Sequence, residues 1–326
     1  MPNSYTLPLI FKDGRTLPRA IPGPMDGVTE GSFVSVLSRR GYVRSWHTPF
    51  VRISTGVPGR SRLRTWLSPY LATGLPVTAQ IMGASGERLA ATAERLLELG
   101  AHCVDLNCAC PSPTVIGNGS GGARLRDTVW LADTLRQLRS ACGEHPLSVK
   151  VRVGYESPNE FSRVAEALRA GSPDLVIVHY RTVNEMYRPI VNGLERLRQC
   201  RKLLDGIAVY GSGDLFTTAD CDRMMTETGV DGVAPARGLL RNPRLLQELW
   251  GIAEGEFEPL PYLLEIAREA DRKAGSNNGF VLRMARPLLK EDNPVYDGLF
   301  ARLAACRTLD ATMSFLTSLI GETPHG

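Results

Sequence analysis

The chain has 326 residues, of which 43% are hydrophobic and 22% are charged, and its formal net charge at pH 7 is +4. This composition is typical of an ordinary soluble globular protein. The first residues show no basic segment followed by an apolar core, and no apolar run approaches the roughly 20 residues that cross a bilayer. We therefore expect neither a signal peptide nor a membrane partner. Seven cysteines at irregular spacing indicate reduced thiols and a cytoplasmic location.

Basic residues are unevenly distributed along the chain. No Asp or Glu occurs between positions 31 and 85, whereas this stretch contains Arg39, Arg40, Arg44, Arg52, Arg60, Arg62 and Arg64. One interpretation is a general bias toward arginine, because the chain has 33 Arg and only 5 Lys. Such a bias does not remove acidic residues, however, and an acid-free basic stretch produces a positive field that attracts phosphates. The pattern favours a surface that binds a polyanion.

Short β-branched runs alternate with amphipathic helical patterns over the first 236 residues. The pattern predicts strands at 20–25, 43–50, 77–82, 103–108, 147–153, 174–180, 207–210 and 232–236. Eight strand–helix units in succession are typical of a (β/α)8 TIM barrel, an α/β fold. A doubly wound sheet is the alternative, although it rarely needs eight such units.

The pattern after the barrel is helical only. A Gly- and Pro-containing linker at 255–261 is followed by predicted helices at 262–274, 279–290, 295–306 and 309–320. Four helices in so short a segment suit a small bundle beside the barrel. We therefore predict a catalytic barrel domain over 1–254 and a helical domain over 260–326.

In a barrel the functional residues follow the carboxyl ends of the strands. Strand 4 ends at Pro111, which has no amide hydrogen to continue the ladder, so that Cys110 lies at the start of a glycine-rich loop over 117–122. The other residues at strand ends are Pro24, Met25, Asp26, Gln80, Asn107, Lys150, His179, Arg181, Ser212, Gly213, Asp214, Ala236 and Arg237.

The ends of strands 7 and 8 form a pair. Gly-Ser-Gly-Asp at 211–214 and Ala-Arg-Gly at 236–238 each precede a helix start, with Thr217 or Thr218 and then Asn242 as N-caps. Backbone amides, a helix N-terminus and Arg237 predict a phosphate-bearing cofactor at this corner of the barrel. Alone, the Gly-Ser-Gly run would indicate only a turn.

Two titratable residues in interior strands each have two possible roles. Lys150 lies among β-branched residues, so it needs an anionic partner. That partner is either Asp105, in a core salt bridge, or the anionic ring edge of a reduced flavin. His179 is either a core histidine or a lining residue of the same site.

The cysteines at 103, 108 and 110 invite a metal interpretation. Cys103 and Cys108 are five residues apart on one strand and therefore point to opposite faces. No second Cys or His cluster completes a set of four ligands, so we predict no metal.

With these residues in place, the chain resembles the tRNA-dihydrouridine synthases. The matching motifs run in the family's order from strand 1 to strand 8: Gly-Pro-Met-Asp-Gly-Val-Thr at 23–29, the strand around Gln80, Asp-Leu-Asn-x-x-Cys-Pro at 105–111, Val-Lys-Val-Arg-Val-Gly at 149–154, His-Tyr-Arg-Thr at 179–182, Gly-Ser-Gly-Asp and Ala-Arg-Gly. Segments at 50–52, 114–123 and 281–283 look most like the bacterial DusC branch.

The resemblance implies a barrel enzyme that binds FMN, takes its electrons from NADPH and reduces uridine in tRNA to 5,6-dihydrouridine. It implies that hydride is added at carbon 6 of the uracil ring and that Cys110 protonates carbon 5. The implied cofactor contacts are Pro24, Met25, Asp26, Gln80, Lys150, His179, Ser212, Gly213, Asp214, Ala236 and Arg237. The implied RNA contacts are Arg52, Asn107, Arg181, Arg283 and Arg302. We expect a monomer, with a uridine flipped out of the RNA at a cost of a few kcal/mol.

The chain departs from the family pattern at several positions. Ala109, Ser212 and Ala236 replace a Gly, an Asn and a Gly, and these small residues should preserve flavin binding. Pro49 replaces an acid and Pro113 replaces a Lys on the substrate side. The sequence therefore leaves open which uridine is reduced.

Three alternative functions remain at this point. An FMN barrel reductase could act on a free pyrimidine or a small enone. An RNA-binding relative could have lost catalysis. A uridine reductase could act on a different RNA.

Overall fold

The structure is a computed structural model that describes residues 4–272, 278–289 and 296–322. Its strands are β1 Leu9–Ile10, β2 Thr16–Leu17, β3 Trp46–His47, β4 Val51–Ile53, β5 Val77–Gly83, β6 Cys103–Cys108, β7 Leu147–Arg152, β8 Leu175–His179, β9 Ala208–Ser212 and β10 Gly232–Val233. β1 and β2 form an antiparallel hairpin, and all the other strands belong to one parallel sheet. The order in this sheet is β10-β9-β8-β7-β6-β5-β3, and β4 also pairs with β5.

Helices cover the sheet and follow it along the chain. They are α1 Gly31–Arg39, α2 Arg60–Leu71, α3 Gly86–Glu98, α4 Pro113–Gly117, α5 Thr128–Cys142, α6 Phe161–Gly171, α7 Gly193–Leu203, α8 Thr218–Thr228, α9 Gly238–Arg241, α10 Leu245–Leu249, α11 Pro259–Asp271, α12 Asn278–Leu289, α13 Leu299–Ala305 and α14 Leu309–Glu322. Among the described residues, every helix is too short or too polar to cross a bilayer. The curled parallel sheet with helices outside it confirms the predicted (β/α)8 barrel.

Two of the eight predicted strands are wrong in detail. Residues 20–25 form no regular strand, because Pro22 and Pro24 have no amide hydrogen for a ladder. Ala20 instead makes one parallel bridge to Val233 beside β10. The predicted strand 43–50 is replaced by β3 and β4, which both pair with β5 and are separated by the segment that contains Pro49.

The interior strands alternate between two buried faces. Every residue of β6 is buried. Val104, Leu106 and Cys108 belong to the large apolar core under the helices. Asp105 and Asn107 alternate with them and therefore face the interior of the barrel. The polar side chains of β6 therefore lie inside the barrel, where neighbouring strands supply their hydrogen-bond partners.

The C-terminal part of the chain is helical where it is described, from α11 to α14. Parts of the predicted helices at 262–274, 279–290 and 295–306 lie outside the described residues. α11 packs against α14 and against α1 of the barrel. The division into domains 1–254 and 260–326 stays a prediction.

Ion pairs join α1 to α11. Arg39 donates to Glu269 at 2.9 Å and to Glu265 at 3.0 Å, and Arg40 donates to Glu265 at 2.5 Å. These two arginines of the acid-free stretch are therefore neutralised by acids more than 200 residues away. This corrects the expectation that the whole stretch is available to a polyanion.

We predict that Glu265→Gln lowers the free energy of unfolding by about 1 kcal/mol, because the variant loses one half-buried carboxylate shared by the half-buried Arg40 and the exposed Arg39. The arginines hold the pKa of Glu265 below its usual range, so this contribution is present at neutral pH and is lost as the pH falls through the folded-state pKa. Urea unfolding at low and high salt measures it. Glu98→Gln is the control, since the Arg60–Glu98 pair is exposed and should contribute almost nothing. Equal effects of the two changes would contradict the prediction.

Candidate active site

The register of the strands brings the predicted residues together at the carboxyl end of the sheet. Gln80 of β5 pairs with Asp105 of β6, and Asn107 of β6 pairs with Lys150 of β7. His179 at the end of β8 lies beside Ser212 at the end of β9. These side chains therefore surround one opening of the barrel.

A cavity of about 330 Å³ occupies this opening. Its volume lies at the lower end of the range for small-molecule sites, which is about 300–1,000 Å³. The predicted residues that line it are Pro24, Met25, Asp26, Gln80, Asn107, Cys110, Lys150, His179, Ser212, Gly213, Ala236 and Arg237. Pro49, one of the departures from the family pattern, also lines it.

Arg181 and Asp214 lie outside the lining. Arg181 is 1% exposed, and its guanidinium donates to both carboxylate oxygens of Asp214 at 3.0 and 2.5 Å. Its third donor reaches the carbonyl of Arg188 at 2.6 Å. The predicted RNA contact of Arg181 disagrees with this geometry, because its donors are used inside the protein. Asp214 also accepts from Arg237 at 2.7 Å and so fixes that cation at the cavity wall.

Three other predicted RNA contacts, Arg52, Arg283 and Arg302, lie outside the cavity lining. Arg52 is exposed on β4, two residues after Phe50, which lines the cavity. Arg283 of α12 is exposed and donates to the carbonyl of Gly27, next to the lining residue Asp26. Arg302 of α13 lies over the ring of Phe315 at 5.1 Å, away from the cavity lining.

The loop that carries Cys110 is held on both sides. Asn107 Oδ1 accepts from the amides of Ala109 and Cys110 at 2.9 and 3.0 Å. The glycine-rich loop packs against the same segment, and the Gly122 amide donates to the Cys110 carbonyl at 3.0 Å. A Cβ on Gly121 would lie 2.7 Å from Val115 Cγ1, and its φ of +58° is one that glycine adopts easily. The half-buried thiol of Cys110 therefore sits on a fixed backbone facing the cavity.

Arg152 and Tyr187 also line the cavity. The sequence places Arg152 at the end of strand 5 with Lys150 but gives it no role in the site, and it gives no indication of Tyr187. Arg152 is 2% exposed and donates to the carbonyls of Ala109, Thr182 and Met186 at 2.8–2.9 Å. Burial lowers the pKa of Arg152 to about 10. Arg152 follows Lys150 by two residues on β7, so both side chains lie on the same face of the strand. No pattern indicated Tyr187, which belongs to a loop.

The ammonium group of Lys150 lacks an anionic partner among the described residues. Within the described part of the chain, its ammonium group has no hydrogen-bond or ion-pair partner. The salt bridge to Asp105 that the sequence allowed does not form, because Asp105 accepts from Gln80 and Ser148 instead. Burial, and then the nearby Arg152, lower the pKa of Lys150 to about 8. A half-buried cation on a cavity wall, with no anion in contact, indicates a place for an anionic ligand.

His179 is neutral in this environment. Burial and the surrounding cations, first Arg152 and then Lys150, place its pKa well below the usual range. Its Nδ1 accepts from the amide of Arg181 at 3.2 Å, so the ring proton must lie on Nε2. His179 therefore offers the cavity a hydrogen-bond donor without a charge.

The predicted phosphate corner is only partly open. Thr217 caps α8 as expected, but Asp220 completes a capping box and accepts from the Thr217 amide at 3.1 Å. Asn242 ends α9, and its Oδ1 accepts from the amide of Arg244 at 3.0 Å directly before α10 begins. Ser212, Gly213 and the anchored Arg237 still line the cavity beside Lys150. This donor set fits an anionic, phosphate-bearing cofactor. Among the described residues, no group of three or more Cys, His, Asp or Glu could hold a metal ion.

A parallel barrel with an accessible thiol, a buried lysine and an arginine around one cavity defines a class of enzyme that binds an anionic cofactor. Comparison with known proteins identifies the family. The family model described as dihydrouridine synthase matches residues 21–281. The chain belongs to the dihydrouridine synthase family, which confirms the predicted family and its flavin-dependent oxidoreductase class.

Curated relatives match along most of the chain. The tRNA-dihydrouridine(16) synthase of Neisseria meningitidis serogroup B is 31% identical over 322 residues, which cover 93% of this chain and 95% of the relative. The enzyme of the same name from Haemophilus influenzae is 29% identical and covers 90% and 97%. Among solved structures, the old yellow enzyme from Trypanosoma cruzi matches with a TM-score of 0.57 at 11% identity, covering 82% of this chain and 97% of that one. This last likeness concerns the fold alone.

We predict that Lys150→Met raises the free energy of unfolding of the cofactor-free protein by about 1–3 kcal/mol at pH 7, because it removes a half-buried charge that has no anion in hydrogen-bond contact among the described residues. The unfolded chain binds more protons than the folded one between pH 8 and 10.5, so the wild type gains stability across that window. The difference between variant and wild type should therefore shrink as the pH rises through it. Urea unfolding at several pH values measures this.

Lys202→Met is the matched control, since Lys202 is exposed at the end of α7. Its replacement should leave stability unchanged within about 0.5 kcal/mol. A loss of stability in Lys150→Met at pH 7 would contradict the assignment of Lys150 as an uncompensated cation.

Proposed function

We propose that this protein reduces uridine to 5,6-dihydrouridine in tRNA, with FMN as the bound cofactor and NADPH as the reductant. One observation carries the proposal: the Cys110 thiol and the cationic group of Lys150 and Arg237 line the same cavity. A proton donor and an anion-binding wall on one small cavity are what this reaction requires. We further propose that the protein acts as a monomer in the cytoplasm, where its seven unpaired cysteines stay reduced.

The proposed reaction adds two hydrogens across the carbon 5–carbon 6 double bond of uracil. When bound, FMN would supply the hydride that goes to carbon 6. The Cys110 thiol would donate its proton to carbon 5, and the resulting thiolate would regain a proton from water. NADPH restores the two electrons for the next turnover. Lys150 and the Nε2–H of His179 would hold the anionic edge of the cofactor, and Arg237 would hold its phosphate.

The substrate must enter the cavity as a single extruded base. A ring paired and stacked in folded RNA cannot reach a thiol at the bottom of this opening, and flipping it out costs a few kcal/mol. Several of the relatives are named for position 16 of tRNA. We propose the same position for this protein, and mapping dihydrouridine across total RNA from a strain lacking the gene tests it.

Exposed arginines beside the opening would bind RNA phosphates. Arg39, Arg40 and Arg60 have acidic partners. Arg52, Arg62 and Arg64 are exposed, and the structure as described gives their side chains no acidic partner. They belong to β4 and α2, which follow the cavity-lining Phe50 along the chain. We propose that this smaller group of arginines, together with Arg283 and Arg302, holds the tRNA.

We expect Cys110→Ala to purify as a yellow protein with normal FMN content, because the thiol contributes a proton and no cofactor contact. It should lose about 10²-fold or more of its uridine reduction, the usual contribution of a general acid. Quantifying dihydrouridine in tRNA by mass spectrometry measures the loss.

Cys306→Ala is the control, since Cys306 is the other partly exposed thiol and lies in the C-terminal part. It should keep wild-type activity. A Cys110→Ala variant with near-wild-type activity would remove this residue from the acid role, and activity on free uridine would favour a small-molecule reductase.

Replacing both Arg62 and Arg64 with Ser should weaken tRNA binding and flatten its salt dependence. Each phosphate contact that is lost lowers the slope of log K against log salt by roughly 0.7–0.9. Filter binding over a range of salt concentrations measures the slope. Arg136→Ser is the control, because Arg136 is exposed but paired with Asp133. An unchanged slope in the double variant would exclude α2 from the RNA surface.

A further inference from the structure

A chain of hydrogen bonds runs from the Cys110 loop into the barrel. The amides of Ala109 and Cys110 donate to Asn107 Oδ1 at 2.9 and 3.0 Å. Asn107 Nδ2 donates to Gln80 Oε1 at 2.8 Å. Gln80 Nε2 in turn donates to Asp105 Oδ2, also at 2.8 Å. In each link a donor on one residue binds an acceptor on the next. All these hydrogen bonds therefore run in one direction, from the loop amides to the carboxylate of Asp105.

The carboxylate determines that direction. A carboxamide can turn by 180° and exchange its donor for its acceptor, whereas a carboxylate only accepts. Asp105 also accepts from Ser148 Oγ at 2.6 Å through its other carboxylate oxygen. Gln80 must therefore present its nitrogen to Asp105 and its oxygen to Asn107. Asn107 is then left with its oxygen toward the cysteine loop.

The opposite orientation of Asn107 would be costly. Its amino group would face two amide donors, and both would lose their acceptor in a buried environment where unsatisfied polar groups are expensive. Asn107 is 7% exposed, Gln80 1% and Asp105 0%, so water offers little compensation. The position of Cys110 thus depends on a carboxylate that does not itself line the cavity.

We propose that Asp105 is a positioning residue for Cys110, acting through Gln80 and Asn107. The proposal rests on the proposed function, since it assigns Asp105 to the protonation step and not to hydride supply. Ser148 provides a matched comparison, because its hydroxyl binds the other oxygen of the same carboxylate and lies outside the directed chain.

A double-mutant cycle on the FMN-loaded enzyme tests the proposal. Asp105→Asn, Asn107→Ala and the double variant are compared in two anaerobic stopped-flow measurements: reduction of the flavin by NADPH, and its reoxidation by tRNA. Asp105→Asn should slow reoxidation about tenfold or more, because small misplacements of a reacting group cost up to about 10²-fold. Reduction by NADPH should keep its wild-type rate, since Cys110 takes no part in it.

The cycle separates positioning from general stabilisation. If Asp105 acts through Asn107, adding Asp105→Asn to Asn107→Ala should cause no further loss, because the link is already broken. Ser148→Ala should retain the wild-type reoxidation rate. If Asp105→Asn does not yield folded, flavin-loaded protein, Asp105→Glu, which keeps the charge but moves the carboxylate by one methylene group, takes its place in the cycle.

The possible outcomes are distinct. Losses that multiply in the double variant, or equal losses in both half-reactions, would overturn the positioning role while leaving the proposed function intact. A wild-type enzyme that accepts electrons from NADPH and transfers none to tRNA would overturn both. Loss confined to reoxidation and absent from the Asn107→Ala background is the result that supports the proposal.

Discussion

The register of five neighbouring parallel strands, β5 to β9, is the constraint on which this site depends. It puts Gln80 beside Asp105, Asn107 beside Lys150 and His179 beside Ser212. Because side chains alternate between the two faces of a strand, a slip of one residue would send each of these groups into the apolar layer under the helices. The apolar residues between them, such as Leu106 and Val149, therefore hold the polar ones in place.

Among the described residues, the cations inside the barrel, Lys150 and Arg152, have no acidic side chain in direct contact with them. Lys150 and Arg152 keep charges whose burial lowers their pKa values to about 8 and about 10. His179 avoids the same penalty by staying neutral. Such an arrangement costs folding energy and favours an anion in the cavity. Nearby charges that face no ligand are compensated internally, as Arg181 is by Asp214.

The sequence predicted the interior strands and the cavity lining better than it predicted the ion-pair partners of charged side chains. β6 and β7 were recognisable as apolar runs, and their polar members marked the site. The pattern at 20–25 predicts a strand that does not form, because its two prolines cannot donate to a ladder. The arginines were harder: nothing local shows that Arg39 meets Glu269 or that Arg181 is buried on Asp214, since both contacts join segments distant in the chain. Tyr187 was missed because loops carry no periodicity.

The same site unites three roles that the chain keeps on separate elements. In the proposed function, β6 and the loop after it would hold the proton donor, β7 to β9 would hold the anion-binding groups, and β4 with α2 would supply exposed arginines to RNA. A crystal structure of the FMN-loaded protein bound to tRNA tests this account most directly. It predicts one uracil extruded into the cavity, with Cys110 Sγ about 3.5 Å from carbon 5 on the face opposite the flavin. A uracil outside the cavity, or a thiol on the same face as the flavin, would contradict it.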